Sequence, residues 1–297
     1  MASSERSASM NSLRSDRIGG HVAIENVRIT LGEGERRFVA VQDVGIDIAP
    51  GEFVCLLGPS GCGKSTLLGV LAGHIAPSHG RATLDGVAID GPRPERGMVF
   101  QHHTLFPWRK TLENVAFGLK MQGVNKSTRH RLAAQWLERV GLGNFAQRYP
   151  SQLSGGMQQR AEIARAMITG PRVLLMDEPF GALDAQTRAM MQSLLLDVWS
   201  EQRPTVVFVT HDIDEALFLG DRVLVMSPGP GTIIDDIRVP FARPRLRDDE
   251  QDLVTQPEFV ALKRYLLTRL RHQQSPLPAP RLNPLGDLRS SPASLTS

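Results

Sequence analysis

Short apolar runs alternate with stretches of helical periodicity along most of the chain, a pattern that predicts an α/β fold built on a largely parallel sheet. The runs at 52–57, 97–101, 173–176, 205–210 and 222–226 are strand-sized and almost free of polar interruption, as strands buried on both faces should be. Between residues 111 and 167 the strand signal disappears. That stretch reads as helices at 112–121 and 128–140 and a third beginning after Ser154, an insertion between two sheet strands large enough to form its own lobe. Further on, Phe259, Leu262, Leu266 and Leu270 fall at helical spacing and predict an amphipathic helix docked on the body. No internal repeat is present.

The ends read differently. Residues 1–20 are rich in Ser and Arg and lack an apolar segment long enough for a signal peptide, which leaves an organelle transit peptide or a disordered tail. Residues 275–297 are rich in Pro and Ser with little to bury, and are expected to be a disordered extension. Within its 297 residues the chain is 41% hydrophobic and 22% charged, so a sizeable core is expected between them.

A net charge of +3, with both signs interspersed, gives no electrostatic footprint for nucleic acid. Cys55 and Cys62 supply neither a zinc site nor a C-x-x-C pair, and point to a reducing compartment. No run approaches the ~18 apolar residues of a membrane helix.

The candidate chemistry begins at Gly58, Pro59, Ser60, Gly61, Cys62, Gly63, Lys64 and Ser65, which match G-x-x-x-x-G-K-[ST] between an apolar strand and a helical run. Glycines let backbone N–H groups turn inward around an anion, and the following helix aims its positive end at it. Lys64 adds a charge for the β- and γ-phosphates, and the Ser65 hydroxyl can coordinate Mg²⁺. Cys62 is expected to react with a thiol reagent if exposed, with MgATP protecting it. The run 173–176 then ends in Asp177 and Glu178, one acid to hold the metal through its water and one to polarise an attacking water.

A second small-residue, helix-opening segment follows the pattern L-S-G-G-x-Q-x-R, from Leu153 through Ser154, Gly155 and Gly156 to Arg160. With the loop at Gly58, it resembles the nucleotide-binding subunits of ATP-binding-cassette transporters over roughly residues 23–240. The resemblance implies a P-loop NTPase core with an inserted α-helical subdomain at about 102–168, an antiparallel β portion, and a C-terminal extension at 241–274. It implies that Thr66 joins the phosphate loop in holding ATP. Gln101 would contact Mg²⁺ and relay nucleotide state, Asp184 would cross a dimer interface, and His211 would contact the γ-phosphate. The family's adenine-stacking aromatic aligns with Leu31, or with Phe38 if the strand register differs. Segments 105–109, 113–115 and 226–231 look like the ATPase subunits of importers for nitrate, aliphatic sulfonates and taurine.

What the resemblance implies is an ATPase working as a pair, with Ser154 and Gly156 of one copy closing over ATP held by the other. Two membrane permease subunits and an extracytoplasmic solute-binding protein would complete the assembly, placing the chain peripherally on the cytoplasmic face of the membrane. Leu105, Phe106 and Trp108 would receive the permease there. The rival is a soluble cassette ATPase acting on nucleic acid or ribosomes, but under ~100 residues without sustained heptads separate loop and signature, and a second cassette is absent.

Overall fold

The computed structural model describes residues 19–241 and 253–272. Two sheets enclose one helix. The larger sheet contains β3 (Phe53–Leu57), β6 (Arg96–Val99), β7 (Val173–Asp177), β8 (Thr205–Thr210), β9 (Arg222–Met226) and β10 (Ile233–Arg238), in the order β10-β9-β3-β8-β7-β6. All pairs are parallel except β9 with β10. The smaller sheet is antiparallel, in the order β2-β1-β4-β5, from β1 (Val22–Leu31), β2 (Phe38–Ile48), β4 (His79–Leu84) and β5 (Val87–Ala88).

Period-two alternation explains why the central strands are apolar throughout. In β3, Phe53, Cys55 and Leu57 enter one core while Val54 and Leu56 enter the other; in β7, Leu174 and Met176 oppose Val173 and Leu175. One core lies between the large sheet, helix α1 (Lys64–Ala72) and the small sheet. The other receives α5 (Gly155–Met167), α6 (Ala185–Gln202) and α7 (Ile213–Leu219). Burial on both faces confines polar side chains to the strand ends, as with Thr205 and Thr210 of β8 and Asp177 of β7.

The lobe inserted between β6 and β7 is helical, as the sequence predicts, with boundaries that differ in detail. The helix expected at 112–121 divides at Ala116 into α2 (Thr111–Val115) and α3 (Phe117–Met121), and α4 runs over Lys126–Arg139. Asn125 caps α4 by accepting from the Thr128 amide at 3.0 Å, which sets its start two residues before the expected one. Gln101, expected to end a strand, lies beyond β6 in the following loop.

The ordered body starts earlier than residue 21. Gly19 and Gly20 are buried, their amides donating to the carbonyls of Arg203 and Arg172, and the Thr205 hydroxyl donates to Gly20 O at 2.6 Å. Residues 1–18 and the tail expected at 275–297 lie outside the described residues. The last helix, α8 (Pro257–His272), docks as expected: Phe259 and Leu266 are buried, with Leu262 and Leu270 partly covered beside them. Lys263 also pairs with Asp214 of α7 at 2.7 Å.

Candidate nucleotide-binding site

The loop 58–63 leaves the C-terminal end of β3 and runs directly into α1. Gly63 has φ +95° and lies so close to β2 that an added Cβ would sit 2.7 Å from Val41 Cγ2, so both backbone angle and space demand glycine. Lys64 is buried and its Nζ donates to the carbonyls of Gly58 and Pro59 at 2.8 and 2.9 Å, which holds the ammonium under the loop. Cys62 is 1% exposed, and burial pushes its thiol above the ordinary range despite the opposing pull of Lys64. The sequence left Cys62 reactive only if exposed; the fold withdraws it.

Asp177 ends β7 directly across from α1, and the Ser65 hydroxyl donates to its Oδ1 at 2.9 Å. Burial raises the Asp177 carboxyl above the usual range, neighbouring Glu178 adds to this, and the Ser65 hydrogen bond and Lys64 oppose it. Hydroxyl and carboxylate together are the hard oxygen donors that Mg²⁺ takes alongside water and phosphate, so the pair fits that ion.

Glu178 has φ +43°, in the left-handed region that costs a non-glycine residue energy. Its amide donates to Val209 O of β8 at 3.0 Å, fastening the turn. The turn aims the carboxylate at the next strand's end, where His211 Nδ1 lies 3.2 Å from Glu178 Oε2. A carboxylate beside an imidazole at the rim of a phosphate loop can orient a water and hold its proton.

A cavity of about 360 Å³ brings together Ser60, Lys64, Ser65, Gln101 and Glu178, with Leu31 and Phe38 at its apolar side. Leu31 and Phe38 are cross-strand partners in β1 and β2, so the two positions considered for adenine share one wall. Ser154, Gly155, Gly156 and Asp184 are not brought there. They line a separate groove of about 270 Å³ with Arg160 and Thr187. Ser154 caps α5 by accepting from the Met157 amide, and Asp184 caps α6 by accepting from the amide and hydroxyl of Thr187. Those two bonds hold the Asp184 carboxyl below its usual range.

Sequence reading missed two residues behind His211. Arg188 Nη2 donates to Leu183 O at 3.0 Å, beside Asp184, while Nη1 faces Asp212 Oδ2 at 3.7 Å. Buried Glu215 accepts from Gln192 Nε2 at 3.1 Å, and burial raises its carboxyl above the ordinary range. The signal for Glu215 was present, as an acid set directly before an apolar helical run.

The chain resembles known proteins over most of its length. Residues 41–181 match the family described as ABC transporter. The chain is 47% identical over 240 residues to the taurine import ATP-binding protein TauB of Yersinia pseudotuberculosis, covering 80% of this chain and 94% of that one. It is 50% identical over 229 residues to the protein of that name from Chromobacterium violaceum, covering 77% and 88%. Among solved structures, the ATP-binding cassette MJ0796, a dimer in a post-hydrolysis state bound to ADP and Pi, superposes with a TM-score of 0.67 at 33% identity, over 74% of this chain and 100% of that one.

Proposed function

The chain belongs to the ABC transporter family, and from that premise we propose that it is the ATP-hydrolysing subunit of an importer for taurine or a related small sulfonate. The observation that carries the ATPase reading is the single cavity joining Lys64, Ser65, Gln101 and Glu178, with Asp177 and His211 bonded to its members. In this reading the loop amides and Lys64 bind the β- and γ-phosphates, and Thr66 continues the cradle into α1. Leu31 and Phe38 give the base an apolar wall, Phe38 being 57% exposed and free to lie against a ring. Ser65, Asp177 and Gln101 would hold Mg²⁺, which when bound neutralises phosphate charge. Glu178 takes the proton of the attacking water, and His211 orients Glu178 and reaches the γ-phosphate.

The separate groove at Ser154 supports a working pair. A helix N-terminus opened by Gly155 and Gly156 suits a phosphate, yet it lines a different cavity from Lys64 of its own chain, so the second copy would supply it. ATP would then hold the pair together and hydrolysis would release it. A groove of about 490 Å³ between β6 and the helical lobe, walled by Met98, Phe106, Phe117 and Met121, suits a short helix from one permease subunit, the second copy's groove receiving that of the other. Among the described residues no helix is long and apolar enough to cross a membrane, so attachment to the cytoplasmic face would come through those subunits.

The test is to purify the chain with its permease subunits and measure ATP turnover with a solute-binding protein loaded with taurine, other sulfonates or nitrate. Stimulation by the taurine- or sulfonate-loaded protein is expected. Stimulation by nitrate alone would overturn the solute, and nucleic acid or ribosomes stimulating in its place would overturn the importer.

A further inference from the structure

Glu162 is the most enclosed acid near the site, and the chemistry above makes no use of it. Its side chain is 1% exposed, on α5 below Ser154. Oε1 accepts from both the amide and the hydroxyl of Thr104, the latter at 3.1 Å. Oε2 faces His103 Nδ1 at 3.5 Å. Thr104 and His103 belong to the loop that follows Gln101. Burying a carboxylate is costly unless it is paired: here the Oε1 hydrogen bonds both go to that one loop, while Oε2 has no hydrogen-bond partner and faces only the His103 ring.

Two further contacts extend the cluster. Arg165, one turn along α5 and 3.8 Å from Glu162 Oε1, donates to Thr104 O at 2.8 Å and to the Thr104 hydroxyl, and its guanidinium lies over the Phe106 ring at 5.8 Å. Arg165 and Phe106 both wall the groove beside β6. At the opposite end, His103 Nε2 would be 3.7 Å from a Cβ on Gly155, so one imidazole spans from the buried carboxylate to the start of α5. The groove, the loop after Gln101 and the Ser154 end of α5 thereby meet around one carboxylate.

We infer that Glu162 is a positioning residue that makes the Gln101 loop and helix α5 move as a unit, so that a displacement at the groove arrives at Ser154 and Gln101 together. This rests on the importer reading, because it gives a permease-driven displacement a route. Replacing the carboxylate by an amide removes the charge that Arg165 and His103 face and puts an NH2 donor in place of one of its two acceptor oxygens. The loop and the helix would then respond separately.

The experiment compares wild type, Glu162→Gln and Thr104→Val, each as the isolated chain and assembled with the permease subunits and solute-binding protein. ATP affinity and basal turnover of the isolated variants are expected to stay within about twofold of wild type, and each variant is expected to unfold in a single cooperative transition as wild type does. Stimulated turnover is expected to fall by roughly 10-fold, within the usual range for coupling between two sites. Full stimulation in both variants overturns the inference, as does a basal rate that falls in step with the stimulated one. If Glu162→Gln does not fold, Thr104→Val, which removes one hydroxyl, decides. A wild-type assembly that is never stimulated overturns the importer reading and this inference with it, whereas a stimulated wild type equalled by its variants overturns this inference alone.

Discussion

His211 Nδ1 lies 3.2 Å from Glu178 Oε2, although the two residues are 33 apart in sequence. Parallel pairing makes this possible. β7 and β8 run side by side with Asp177 opposite Val209, so the residues just past each strand emerge at the same edge of the sheet. The left-handed turn at Glu178 supplies the remaining reorientation, and the cost of that backbone is consistent with a role other than stability.

Glu178→Gln should therefore separate binding from chemistry. The amide keeps the shape and cannot take a proton, so ATP affinity is expected to stay near wild type while turnover falls by about 10²–10⁴-fold. Equilibrium binding and single-turnover hydrolysis on one preparation check both halves. Wild-type turnover in the variant would remove Glu178 from the mechanism.

Asp177 gives a prediction in pH. Burial raises its carboxyl in the folded chain above the unfolded value, so between the two values the folded state holds a proton that the unfolded state has lost. Stability from this group falls as pH rises through that window and stays low above it. Asp177→Asn carries no such penalty and can still accept from Ser65. Thermal melts without nucleotide should place the variant at or above wild type near neutrality, with the gap closing as pH falls through the carboxylate range of about 4. Its Mg²⁺-dependent ATP hydrolysis should be lost, and a variant that melts lower than wild type at neutral pH would contradict the burial argument.

Cys62 should be inert toward thiol reagents in the native chain, with or without MgATP. Cys55 is buried as well, so both thiols should react only after denaturant is added. Counting thiols released with a chromogenic disulfide, before and after unfolding, tests this. Rapid native labelling at Cys62 would mean that the loop opens readily.

The central strands were legible because burial on both faces makes them continuously apolar, and the phosphate loop because its residue types are dictated by backbone angle and space. The small sheet was not read from periodicity. In β1 the register shifts three times against β2, and Asn26 and Asp43 adopt positive φ, so the period-two signal is broken within each strand. The division at Ala116 was hidden for a related reason, since both short helices are apolar enough to read as one. Tertiary placement was beyond the sequence. Nothing in the run 101–105 says that Thr104 grips Glu162, or that Leu31 and Phe38 sit opposite each other.

The three apolar residues beyond Gln101 divide in their consequences. Leu105 is buried in the core, Phe106 walls the groove, and Trp108 is 71% exposed with its ring 5.7 Å from Phe106. Leu105→Ala should cost about 2–5 kcal/mol by leaving a cavity, and would disturb assembly only by unfolding the lobe. Trp108→Ala removes no core contact and should change stability by no more than about 0.5 kcal/mol, with basal ATP turnover unchanged. If the permease subunits dock here, the same change deletes an exposed aromatic anchor, a residue type whose loss at an interface often costs about 2 kcal/mol or more, near 30-fold in affinity. Thermal melts, basal turnover and co-purification with the permease subunits should therefore show a stable, active chain that assembles poorly and supports no transport. A Trp108→Ala chain that unfolds would place the ring in the fold, and one that is stable and still assembles and transports as wild type would move the docking surface elsewhere.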